Sequence, residues 1–361
     1  MKRLSILTAI ILAAAALMAS FQNCYACTGI TLKAKDGSTV VARTIEWAAS
    51  DNDCRWVVVP RGHSWKSFIP GGGTGRSFTN VYGYVGVSVV QDELMMEGMN
   101  EKGLSAGLFY FPDYGKYEEY SEANYETNIS DFQLVSYILG RCATVDEVKA
   151  EIARVHIHGF DPRSSTVHWR FAEPSGRQIV LEIIDGKCIF YENYLGVLTN
   201  SPSFDWQLTN LNNYVNLLPG RTEPHTLGNM SLSSFGGGSA MIGLPGDFTP
   251  PSRFVRAAFF QNTAPQKPDA EGSVFTAFHI LGSMEIPIGA QFPVDETPAD
   301  IPSATQCTCV TDMSGLRFYY RSMYDGGIRC IDLKEIDFKK IGLKSEPLVP
   351  SKKEFVHHIR F

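Results

Sequence analysis

Short runs of β-branched and aromatic residues, cut by Gly, Pro and Asp turn signals, dominate the chain and predict many short strands. Thr28–Leu32 and Thr39–Ile45 are two such runs, separated by Lys35-Asp36-Gly37-Ser38. Asp-Gly between strand runs predicts a hairpin with a two-residue turn pairing Lys35 with Ser38. Further strands are expected at Val81–Val90, at Gly103–Phe111 and in a second hairpin, Trp169–Ala172 and Gln178–Ile184, about Glu173-Pro-Ser-Gly176. Short strands follow at Ile189–Tyr191 and Val197–Thr199, and a late pair at Leu316–Tyr320 and Ile328–Leu333 about Asp325-Gly-Gly. Helical spacing appears at Asp131–Leu139 after Ser130, at Val145–Val155 behind a Thr144 to Glu147 capping box, at Phe254–Gln261 after Ser252, and at Phe275–Met284. Strands, then helices, then strands again predict a layered α+β fold rather than alternating βαβ units. The Pro- and Gly-rich loops at 70–75, 236–251 and 286–303 lack linker composition, and no repeat is present, so residues 27–361 read as one domain.

The first 26 residues break this pattern. Lys2 and Arg3 precede a nearly unbroken apolar run, Leu4–Met18, short for a membrane span, and small residues Cys24 and Ala26 stand at −3 and −1 before Cys27. This is the pattern of a cleaved signal peptide over residues 1–26, and it predicts an exported protein, periplasmic or secreted. Two other readings stay open. Cys27 as a lipidated anchor would make the protein a membrane-tethered ligand-binding lipoprotein, although Cys24 at −3 and Tyr25 at −2 make a poor lipobox. Cleavage after Ala19 or Ser20 would leave an incidental cysteine. Past the leader no apolar stretch is long enough to span a bilayer.

The full chain is 44% apolar and 19% charged, and the 335 residues left from 361 suffice for a sizeable core. Losing Lys2 and Arg3 takes the formal charge from −6 to −8, and no basic run points to nucleic acid. Of eight cysteines, seven remain after cleavage, so at least one thiol is free. Cys307-x-Cys309 has no accompanying His cluster and does not read as a zinc ribbon; the six cysteines other than Cys27 are core residues or up to three disulfides.

An N-terminal cysteine carries a nucleophilic thiol and its own amine base on one residue, which points to amide hydrolysis without a metal or cofactor. The two-residue hairpin register sets Cys27 opposite Glu46 and Ile30 opposite Arg43. Arg43 and Glu46 then have opposite parity, and a bulge or a change of turn is needed to bring both onto the Cys27 face. A cation there favours thiolate.

Several segments together resemble the choloylglycine hydrolases, the N-terminal nucleophile family that includes bile salt hydrolases and penicillin V acylases. Cys27-Thr-Gly-Ile looks like that family's mature N-terminus, and Arg43-Thr-Ile-Glu46-Trp47 resembles its Arg-x-x-Asp-Trp segment. Gly98-Met-Asn-Glu-Lys-Gly103, Asn200-Ser-Pro-Ser-Phe-Asp-Trp206-Gln and Pro245-Gly-Asp247 with Ser252-Arg253-Phe match the rest, in order, from Cys27 to about Phe260. The resemblance implies a four-layer αββα sandwich, a Cys27 nucleophile, Arg43 beside the thiolate, Asn200 in the oxyanion hole and Arg253 completing the polar network. Glu46 stands where the family usually has Asp, a methylene longer. Tyr110 stands where bile salt hydrolases commonly have Asn and penicillin V acylases Tyr. Homo-oligomers, often tetramers, are implied as well.

The expected reaction is hydrolysis of a linear amide with a large apolar acyl group. Glycine- or taurine-conjugated bile salts come first, with penicillin V and N-acyl homoserine lactones as alternatives. Met95, Met96, Met99, Phe109, Tyr110 and Phe111 are the expected apolar lining, with Met95, Phe109 and Tyr110 foremost.

Overall fold

The computed structural model describes residues 25–70, 73–160, 165–291, 301–353, 355–356 and 358–360. The leader expected over 1–26 lies outside them up to residue 24. Two antiparallel sheets stack face to face. The smaller holds β1 (Tyr25–Lys33), β2 (Thr39–Trp47), β10 (Thr305–Asp312), β11 (Arg317–Ser322) and β12 (Arg329–Asp332), in that spatial order. The larger holds β3 (Arg55–Val59), β4 (Tyr84–Ser88), β5 (Met95–Asn100), β6 (Ser105–Tyr110), β7 (Val167–Ala172), β8 (Gln178–Ile184), β9 (Lys187–Glu192) and β13 (Lys344–Pro347), ordered β9-β8-β7-β6-β5-β4-β3-β13.

Helices α1 (Leu134–Leu139) and α2 (Val145–Ile152) cover the outer face of the larger sheet; α4 (Pro250–Thr263) and α5 (Ala270–Gly282) cover the smaller. A short helix, α3 (Phe204–Asn210), packs on α4. The result is the expected αββα sandwich. Each layer is sealed by its own apolar set. Ile45, Cys307, Cys309 and Phe318 meet Val58, Val85 and Met99 between the sheets. Leu108, Trp169 and Leu181 face α1 and α2, and Ile30, Ala42 and Val310 face Phe254, Val274 and Phe278 of α4 and α5.

Local chemistry explains the ends. Thr144 Oγ1 accepts from Glu147 N at 3.2 Å, while the Glu147 carboxylate reaches Ala143 N at 2.6 Å rather than closing the box on Thr144. The cap of α4 sits three residues earlier than expected, at Thr249, because Pro250 is favoured in a first turn. Val197–Thr199 forms only an isolated bridge, Leu198 with Gly29.

The hairpin that carries the site differs from expectation by one residue. Ala34 N–H donates to Ser38 O, and Lys35, Asp36 and Gly37 form a three-residue loop with Gly37 at φ 91°. Asp-Gly serves a three-residue loop with glycine in the left-handed position as well as a two-residue turn. The register is therefore Cys27 with Ile45, Gly29 with Arg43 and Ala26 with Glu46. β1 is an edge strand whose outward groups are taken from outside the sheet: Cys27 N by Asn200, Gly29 N by Leu198 O, Thr31 N by Gln261, and Cys27 O by Arg253.

Candidate active site

The observed register puts Cys27 and Arg43 on the face of the small sheet that looks into the sandwich, and turns Glu46 to the other face. The bulge expected in the hairpin is absent; a register shift lies instead in β10, between Thr305 and Cys307. Cys27 is 3% exposed. Its Sγ accepts from Arg43 Nη2 at 2.7 Å and from the Tyr110 backbone N–H. Arg43 is itself clamped: Nη1 donates to Met96 O at 3.1 Å and to Leu108 O, Nε donates to Thr44 O at 3.1 Å, and the guanidinium lies 4.2 Å over the Phe109 ring. Burial nonetheless pushes the Cys27 thiol above its ordinary value, with Glu46 adding to the rise, against the pull of Arg43 and Arg253.

Behind the strand that carries Cys27 stands a second cation. Arg253, from α4, donates through Nη1 to Cys27 O at 2.6 Å and Thr28 Oγ1 at 2.8 Å, and through Nη2 to Asn200 Oδ1 at 2.8 Å. Asn200 Oδ1 also accepts Cys27 N–H at 2.8 Å, and Asn200 Nδ2 donates to Tyr110 O at 2.7 Å. A flipped amide would set N–H against the Arg253 N–H, so this orientation is the one the network allows. Asn200 thus meets Cys27 through its oxygen, and Tyr110 O takes one of its two N–H bonds. Glu46 faces this same side, 2% exposed, with Thr305 Oγ1 3.3 Å from Oε1. Burial raises its carboxyl to about 7, against Arg253, Thr44 and Arg43.

The expected lining divides by strand parity. Phe109 points at the site but is fully buried under Arg43 and Arg170, a floor rather than an accessible wall. The Tyr110 ring belongs to the core beneath α1 and α2, and only its backbone reaches Cys27. Met95 packs in that same far core, its sulfur filling the space above Gly86 and Gly98. As substrate-lining side chains Tyr110 and Met95 are corrected: the pleat sends alternate residues to opposite faces.

Sequence reading missed four residues around this network. Arg170 and Glu97 form a fully buried pair at 2.5 Å beside Arg43. Opposite Arg43 on β1 is Gly29, where a Cβ would lie 3.0 Å from the Phe109 ring and 3.2 Å from Arg170 Nη1. His168 Nδ1 is 3.2 Å from Glu182 Oε1 and Nε2 is 3.0 Å from Thr199 O, so each ring nitrogen faces an oxygen. Glu182 Oε1 also accepts Phe204 N–H at 2.9 Å, so the pair brackets Asn200 from both sides in sequence. The available signal was His168-x-Arg170 at strand period inside an apolar run. A cleft of about 470 Å³ opens at the other end of β1, around Thr31, Gln178, Asn193 and Gln261; Cys27 is not part of it.

Residues 27–346 match the family of linear amide C–N hydrolases, the choloylglycine hydrolase family. The chain belongs to that family. A bile salt hydrolase/transferase of Clostridium perfringens is 32% identical over 86% of this chain and 93% of its own length. The penicillin V acylase of Pectobacterium atrosepticum is 28% identical over 84% and 79%. Among solved structures, a conjugated bile acid hydrolase from Clostridium perfringens superposes with a TM-score of 0.79 at 29% identity, covering 92% of this chain and all of that one. The penicillin V acylase of Agrobacterium tumefaciens shares the fold, with a TM-score of 0.72 at 24% identity. This choloylglycine hydrolase family member is therefore a linear amide hydrolase. Among the described residues no group of three or more His, Cys, Asp or Glu side chains is set to hold a metal, and no described helix is long and apolar enough to cross a membrane.

Proposed function

We propose that residues 1–26 are removed on export and that the mature chain hydrolyses conjugated bile salts with Cys27 as nucleophile. In the unprocessed chain β1 continues through the fully buried Ala26, so Cys27 N is a peptide nitrogen with no basic lone pair. Cleavage makes it an amine, and Asn200 Oδ1 at 2.8 Å takes one of its N–H bonds and so fixes its lone pair. That contact carries the reading. The amine accepts the thiol proton, Sγ attacks the amide carbonyl, and the amine returns the proton to the departing glycine or taurine nitrogen, leaving a thioester; water, giving its proton to the same amine, then attacks the thioester carbonyl and releases the acid and the Cys27 thiol. The Tyr110 backbone N–H and the second Asn200 N–H are the donors nearest the developing oxyanion.

The lipid-anchor alternative fits poorly, because it has no use for Arg43, Asn200 and Arg253, which all meet Cys27. Bile salts rank above penicillin V because the bile-salt relative is the more similar of the two, 32% against 28%. Self-association is part of the proposal, since Val215, Leu227, Met230, Phe235 and Ile242 stand exposed on one arm.

The test pairs intact mass of the exported protein with glycine and taurine release from conjugated bile salts, penicillin V run alongside. A mass beginning at Cys27 and bile-salt turnover that Cys27→Ser abolishes without unfolding are expected. Undiminished turnover in Cys27→Ser, or in a chain blocked from cleavage, would sink the mechanism; turnover of penicillin V alone would sink the substrate.

A further inference from the structure

Three thiols lie in line in the interior beside Arg43, and the reaction uses none of them. Cys307 and Cys309 of β10 are 1% and 0% exposed and point between the sheets, Cys307 level with Ile45 and Cys309 level with Arg43. Cys54, half-buried just before β3, arrives from the opposite sheet. It packs against the apolar cluster that holds Cys307 and Cys309, with its Sγ 4.0 Å from Oε1 of Gln306, the neighbour of Cys307. We propose that Cys54 and Cys307 form a disulfide joining the two sheets.

Pairing within β10 is geometrically poor. Residues two apart on a strand are about 6.6 Å apart with side chains side by side, whereas a disulfide needs Cβ atoms about 3.5–4.5 Å apart. Cys54 comes to Cys307 from the other sheet, within one apolar cluster, and is free of that in-strand spacing. The remaining thiols stand apart: Cys142 is in the core under α1 and α2, and Cys188 and Cys330 are exposed on β9 and β12, the edge strands of different sheets.

The neighbourhood already staples this loop. Gln306 Nε2 donates to Trp47 O at 2.9 Å and Ser50 O at 2.6 Å, and Gln306 Oε1 accepts Asn52 N–H at 2.9 Å. A covalent bond one residue on would lock the segment that follows Glu46 onto the central strand. The neighbouring Cys307 and burial push the Cys54 thiol well above its ordinary value, so exchange at this pair is slow at neutral pH.

Formation takes two electrons and two protons from the thiols. A low-molecular-weight disulfide accepts both: it first forms a mixed disulfide on the more accessible Cys54, releasing one thiol. Cys307 then attacks the Cys54 sulfur and expels the second thiol. An oxidising compartment would supply such an acceptor, but the pairing rests on side-chain geometry and not on export or on substrate.

The experiment reduces the purified protein, exchanges it into oxidised glutathione, traps remaining thiols with N-ethylmaleimide and digests with trypsin without reductant. The expected result is the Thr44–Arg55 peptide joined to the peptide carrying Cys307 and Cys309, in wild type and in Cys309→Ser but not in Cys307→Ser. Cys54→Ser, at a less buried position, should leave Cys307 as a trapped thiol should the Cys307 variant fail to fold. Recovery of Cys54 as its maleimide or glutathione adduct in folded wild type overturns the proposal. So does a cross-link that survives in Cys307→Ser. The readout is a bond, so it stands or falls separately from amide hydrolysis.

Discussion

Arg43→Gln removes the cation from Cys27, the proposed nucleophile, while keeping a planar polar group. Arg43 Nη2 is 2.7 Å from Sγ, which places the charge centre near 4 Å; a unit charge at that distance is worth about 4 kcal/mol at an effective dielectric of 20. Losing that attraction should push the thiol further up. Less of it is thiolate at a given pH, but each thiolate is more nucleophilic, with a Brønsted slope of about 0.4–0.5, so roughly half the logarithmic loss survives as a ~30- to 50-fold fall in kcat/KM. The assay is amine release from a conjugated bile salt across pH, with circular dichroism to confirm folding, because Met96 O, Leu108 O and Thr44 O all lose a donor. Each orphaned carbonyl costs about 1–3 kcal/mol. The acid limb of kcat/KM should move up in Arg43→Gln and stay in place in Arg43→Lys, which keeps the charge. An unmoved limb in a folded Arg43→Gln, with kcat/KM within a few-fold of wild type, would refute an electrostatic role.

Glu46→Gln tests the other face of the strand. Burial lifts the Glu46 carboxyl from 4.5 to about 7 in the unprocessed chain, so its stabilising contribution is whole below about 4.5 and is lost as pH rises through 7. The glutamine variant lacks that loss and should gain on wild type by about 3 kcal/mol between those limits; melting temperatures that run parallel across this range would exclude it. His168→Phe keeps the stack on Phe111 but leaves Glu182 buried without its partner, at a cost of about 3–5 kcal/mol. As a positioning residue for Thr199 and Asn200, His168 should affect kcat more than KM, with partial rescue by His168→Gln. A loss of stability with kcat intact would reduce it to a structural pair.

Local patterning revealed the elements well where both the strand run and its boundary carried a signal. Gln178–Ile184 is a strand over its predicted length, and α2 starts where Thr144 said it would. The central strand Thr305–Asp312 went unread because its chemistry-bearing cysteines drew attention as a motif and its polar threonines hid a strand buried on both faces. Cys27, Arg43, Asn200 and Arg253 converge, as the family resemblance implied. Their division between two faces of one sheet was not legible, because it depends on a single residue of hairpin register that Asp-Gly leaves open. Tyr110 and Met95 were misread for the same reason: being close to the site in sequence does not decide which way a pleated strand points. Glu97 and Arg170 pair across strands 73 residues apart, so no local spacing announces that pair; His168 and Glu182, 14 apart, lie on the two arms of the expected second hairpin and needed only its register to be found.

The capped edge of β1 has a consequence beyond chemistry. A bare edge strand is a template on which another chain can add itself. Here the guards against such stacking are the site's own side chains, Asn200 and Arg253, together with Gln261 and the Leu198 bridge. Losing either of the first two would strip part of that guard and leave a sticky margin. Selection for a soluble chain and selection for a working site then bear on the same residues, and a variant that has lost one is prone to lose the other.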